Sequence, residues 1–167
     1  MTPAARIAAV IDILSEAPDG VPAGTVLRRG LQQRRYAGSG DRQAISALFW
    51  TIYRAAARIG WHLEQLGAES TSRTYVLAAL RLADGMDSTA LATMFGGDDR
   101  HGPASLDAAE AKLANDLDGR GLDDPAMPVA VEKAVVEKVV EMEVEVTVVV
   151  MVVEVKEEVD KAVDRVV

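Results

Sequence analysis

YAGSGDRQAISALFWTIYRAAARI, residues 36–59, is the stretch whose reading decides the fold. Ile45, Leu48, Phe49, Ile52, Ala56 and Ile59 fall at i, i+3, i+4, i+7, i+11 and i+14. That spacing stacks them on one stripe of an α-helix. Gly38, Ser39 and Gly40 form a turn ahead of it, and Asp41 takes the N-cap position, where a carboxylate oxygen accepts from first-turn N–H groups. On the opposite face of the same helix stand Gln43, Trp50, Arg54 and Arg58. One side is apolar and suits a bundle. The other is basic and carries an exposed aromatic.

Working outward, the N-terminal side reads as two more helices. Thr2-Pro3 opens the first, with Thr as cap and Pro where its missing N–H costs nothing. Ile7, Val10, Ile11 and Leu14 make its inner face, and Pro18-Asp19-Gly20 ends it. The second spans Pro22 to about Arg35 and buries Val26, Leu27 and Leu31, with Arg28, Arg29, Arg34 and Arg35 on its outer side. On the C-terminal side, Gly60 and Gly67 bracket a short apolar piece. Thr71 or Ser72 then caps a helix facing inward through Val76, Leu77 and Leu80. Asp87 caps another, with Leu91, Met94 and Phe95. Asp107 and Glu110 form a capping box for a last helix ending near Gly119. The expectation is an all-α bundle of six or seven short helices over residues 1–124.

Residues 125–167 are a different kind of sequence. Positions 128–167 hold 18 valines in 40 residues. Val131, Val135 and Val139 have helical spacing, as do Val155, Val159 and Val163, while Glu143 to Val153 reads as a strand. Such low complexity with conflicting periods is a poor specification of one fold. This tail is expected to be dispensable to the bundle and, through Val146–Val153, to promote self-association.

Composition excludes several chemistries. There is no cysteine, so disulfides, thiolate metal sites and cysteine nucleophiles are out. No apolar run is long enough to span a membrane, and the N-terminus lacks the uninterrupted apolar core of a signal peptide, so a soluble cytoplasmic protein is expected. His62 and His101 lie in different segments and do not make a metal site. The pairs Asp98-Asp99 and Asp123-Asp124 read as solvated loop charges. Gly38-Ser39-Gly40 lacks the lysine of a phosphate-binding loop and reads as a structural turn.

The charge is polarised. Against a net −8, residues 1–60 carry +4, residues 61–127 carry −7 and residues 128–167 carry −5. Every basic residue of the first segment is Arg, whose planar fork suits phosphate. A basic face on an acidic chain fits nucleic-acid binding or a solvated helix surface equally well on charge alone.

Thr2-Pro3-Ala4-Ala5-Arg6, Tyr36-Ala37-Gly38-Ser39-Gly40-Asp41-Arg42 and Leu48-Phe49-Trp50-Thr51-Ile52-Tyr53-Arg54 resemble the NusB-like N-terminal domain of RsmB-type enzymes. Phe95-Gly96-Gly97 and His101-Gly102-Pro103-Ala104 are similar to its later part. The resemblance covers about residues 1–122. Those enzymes methylate C5 of a cytosine in small-subunit ribosomal RNA with S-adenosylmethionine, and the resemblance implies a helical RNA-binding domain, also shared with antitermination factors. By motif it points to Arg42 and Arg54. Charge and helical position add Arg28, Arg29, Arg34, Arg35, Trp50 and Arg58 as RNA-binding candidates. The family's catalytic domain does not follow, and without cysteine its covalent route is closed. The chain is therefore expected to bind RNA, with no cofactor of its own and no methyl transfer by that route. A protein-interaction bundle and a stand-alone antitermination-like factor remain alternatives.

Overall fold

The helix built on residues 36–59 runs farther than its sequence suggests. In the computed structural model, which describes residues 1–133 except Asp19 and Asp98, it is continuous from Ser39 to Gln65. We number it α3, after α1 (Pro3–Ser15) and α2 (Ala23–Gln33); α4 (Ser72–Leu82), α5 (Ser88–Met94), α6 (Ala108–Asp116) and α7 (Val129–Lys133) follow. The described chain is all-α, as expected. Among the described residues, no helix is long and apolar enough to cross a membrane.

Gly60 does not end α3 because a neighbouring helix uses its missing side chain. A Cβ at Gly60 would stand 2.8 Å from the Tyr75 hydroxyl, so the tip of this α4 side chain lies over the bare backbone of α3. Glycine disfavours a helix interior by about 1 kcal/mol relative to alanine. Packing outweighs that here. Gly30 plays the same part between α2 and α1, where a Cβ would meet Cγ1 of Ile13 at 2.4 Å.

The start of α3 also differs by one turn from its sequence reading. Gly38 is the N-cap and Asp41 is the third residue of the helix, reaching back to accept from the Gly38 N–H at 3.2 Å. The other caps follow local chemistry. The Thr2 hydroxyl accepts from Ala5 N–H at 3.1 Å, Thr71 from Thr74 N–H at 3.1 Å, and Asp87 from Ala90 N–H at 2.7 Å. Asp107 and Glu110 make the reciprocal pair.

The core is the stripe of α3 closed over by α1 and α4. Ile45, Phe49, Ile52, Ala55, Ile59 and Leu63 are buried against Val10, Ile13, Val76, Leu77 and Leu91. α4 is more central than its predicted apolar face implies, since every residue from Val76 to Leu82 is buried. A helix buried all round belongs to the middle of a bundle. Residues 125–133, assigned by composition to the tail, include the buried Met127, and α7 lies against α3. The strand reading of Glu143–Val153, the helices through Val135–Val139 and Val155–Val163, and the tail's dispensability lie outside the described residues.

Candidate nucleic-acid interface

The eight residues expected to meet RNA fall into three groups. Arg28 and Arg29 are exposed on α2, Arg35 just beyond it and Arg54 on α3. None of these four makes an ion pair among the described residues.

Arg42, Trp50 and Arg58 are half-buried. Arg42 Nε donates to the Ala37 carbonyl at 3.0 Å, leaving its terminal nitrogens outward. Trp50, expected to be exposed, packs against the core with its ring edge-on to Phe49 and Tyr53 at 5.5 and 5.6 Å between centroids. Arg58 Nη1 is paired with Asp123 at 2.7 Å. Its neighbour one turn on, His62, is fully buried with Nε2 3.1 Å from the Leu122 carbonyl, where the Nε2–H tautomer donates. Arg58 and His62 thus hold the Leu122-Asp123 segment on the C-terminal half of α3.

Arg34 forms the third group alone, because it faces inward. It is 8% exposed. Its Nη1 donates to the Gly30 carbonyl at 3.0 Å and its Nη2 to Asp12 at 3.1 Å. The expectation set Arg34 outside with Arg35, but at 100° per residue it falls one turn after Gly30, on the side of Ala23, Val26 and Leu27 that α2 buries, and as C-cap of α2 it keeps that direction.

Past that cap the chain makes one tight turn into α3. Ala37 N–H donates to the Arg34 carbonyl at 3.0 Å, which closes residues 34–37 into a hydrogen-bonded β-turn. Arg35 and Tyr36 occupy its two corners. Tyr36 is 73% exposed, more than any other large apolar side chain among the described residues, with Val129 next at 58%. Helical periodicity gave no reason to single it out, since it belongs to no helix face. The signal was its place beside two arginines.

These groups do not form one point. Arg54 lies fifteen residues into α3, about 22 Å along the axis from its start. Arg28, Arg29, Arg35 and Tyr36 cluster in sequence at the other end. Residues 20–40 carry four arginines and no acid.

At the base of this end sits Asp41. Its carboxylate accepts from the Met1 amino group at 3.1 Å, from Arg6 Nε at 2.8 Å and from Gly38 N–H. The amine's hydrogen bond, then that of Arg6, hold its pKa below the ordinary value of 3.8. A carboxyl with a depressed folded pKa stabilises the fold above its unfolded value, and that contribution is lost as pH falls through the folded pKa. Asp41→Asn is therefore expected to melt lower than the parent at about pH 7, with the gap closing below pH 3.8. Thermal melts across that window check it, and a gap unchanged by acid would assign the effect to something other than the charge.

Among the described residues, no three His, Asp or Glu side chains are grouped as metal ligands. No family model matches the chain, and neither does any curated protein or solved structure.

Proposed function

We propose that this chain is an RNA-binding helical domain, similar to the NusB-like front end of ribosomal RNA cytosine-C5 methyltransferases, and that exposed arginines of α2, the 34–37 turn and α3 contact phosphates. One observation carries the reading. Arg6, Arg34, Arg58, Arg73 and Arg81 each pair with an acid, whereas Arg28, Arg29, Arg35 and Arg54 stand exposed on α2, the turn and α3 without one among the described residues. In a chain with 26 acids against 18 basic residues, exposed arginines left without an acid partner suit a polyanion. Such contacts release counterions from the nucleic acid.

The test is a salt titration of RNA binding with the full chain. The logarithm of the affinity should fall linearly with the logarithm of salt concentration, at about 0.7 per phosphate contacted on a single strand. Four arginines predict a slope near −3. Absence of binding at low salt overturns the proposal and favours a protein-interaction bundle.

A further inference from the structure

We infer that the Arg34–Ala37 turn is a stacking platform for an unpaired RNA base, so that the basic end of the molecule selects single strands over duplex. This rests on the RNA-binding reading above and names the form of RNA that the site takes.

The argument starts from how the turn is held. Its two flanking residues are buried, Arg34 at 8% and Ala37 at 5% exposure. Arg34 is fixed by Gly30 and Asp12, and the Ala37 carbonyl accepts from Arg42 Nε. The turn's own hydrogen bond joins the two. A corner anchored on both sides carries its outward side chains at little entropic cost on binding, which is the condition for preorganised recognition. What it carries outward is one aromatic ring and one guanidinium, on adjacent residues.

An aromatic ring 73% exposed leaves much apolar area in water. Nothing in the described chain covers it: Tyr36 has no ring partner, while Phe49 and Tyr53 stack and Trp50 sits edge-on to both. Charge decides what can. Arg35 is adjacent, Arg28 and Arg29 lie on the helix leading in, and no acid intervenes between residues 20 and 40. A ring bordered by cations matches a base bordered by phosphates. In a duplex the base faces are already stacked on each other, so the ring has no face to meet. An unpaired strand offers both.

The experiment compares the full chain with Tyr36→Ala and Tyr36→Phe on a labelled single-stranded RNA of about twelve nucleotides, and on the same RNA annealed to its complement. Tyr36→Ala should weaken single-strand binding about tenfold, leave duplex binding within about twofold, and leave the salt slope unchanged. Tyr36→Phe, which keeps the ring, should bind as the parent does. Circular dichroism should be the same for all three, since the side chain is exposed. Equal single-strand affinity for Tyr36→Ala and the parent, both still salt-dependent, overturns the platform and leaves the RNA-binding reading standing. So does a parent that binds duplex as tightly as single strand. A parent that binds neither RNA overturns both.

Discussion

Arg81→Ala is expected to destabilise the domain by about 3 kcal/mol, although the residue is far from any proposed contact with RNA. Arg81 is 6% exposed on α4. Its Nε donates to the Ala114 carbonyl at 3.1 Å, and its two terminal nitrogens reach the Met86 carbonyl and the Asp118 carboxylate. Ala114 belongs to the last turn of α6, where four carbonyls lack helical donors. Each finds one elsewhere: Ala114 from Arg81, Asn115 from Asp118 N–H, Asp116 from Arg120 Nε and the C-cap Leu117 from Arg120 N–H. Truncating Arg81 removes charged donors from two carbonyls, each worth about 1.5–3 kcal/mol. The exposed Asp118 partner adds little. Arg81→Lys should recover only part, since an ammonium cannot span the three acceptors. Urea unfolding checks this, and a loss under about 1 kcal/mol would mean that water replaces the guanidinium.

Replacing Arg28, Arg29 and Arg35 together by Ala is expected to weaken RNA binding on the order of 100-fold at low salt, at about 1 kcal/mol per contact, with no loss of fold. The salt slope should flatten by about 2. All three are exposed and unpaired among the described residues, so the melting temperature should stay within a few degrees. Arg34→Ala is the contrasting variant. It removes the buried donor to Gly30 and the partner of Asp12, so it should lower the melting temperature while leaving the slope of the folded protein near that of the parent. A triple variant that binds RNA as the parent does would move the interface elsewhere.

Arg34 and Arg35 also show where the sequence was legible. Caps are local chemistry, so Thr2, Asp87 and the Asp107–Glu110 pair were readable from a few residues. Apolar spacing gave the inner stripe of α3 because burial has the helix period. What failed was non-local. Gly60 reads as a stop until Tyr75 is seen against it. Asp41 has the chemistry of an N-cap and of the residue three places on, and only the backbone chooses between them. Arg34 lies on the buried side of α2, one turn after Gly30, and what lets a charge stand there, Asp12, is on another helix. Met127 is buried across a boundary drawn on composition alone. Tyr36, exposed at a corner, has no period to betray it.

The continuity of α3 has an electrostatic consequence. At 27 residues the helix is about 40 Å long. The turn bearing Arg35 and Tyr36 leads into one end, and Arg58 holds Asp123 about 28 Å from that end. At physiological ionic strength the field of an exposed charge decays over about 8 Å. Asp123 is therefore more than three screening lengths away along the helix. A charge at the arginine end feels the groups around it, among them Asp12 and Asp41 paired with Arg34 and Arg6, more than the net −8 of the whole chain. The rod that organises the core thus also works as a spacer, holding the Arg58–Asp123 pair beyond the electrostatic reach of the arginines at its start.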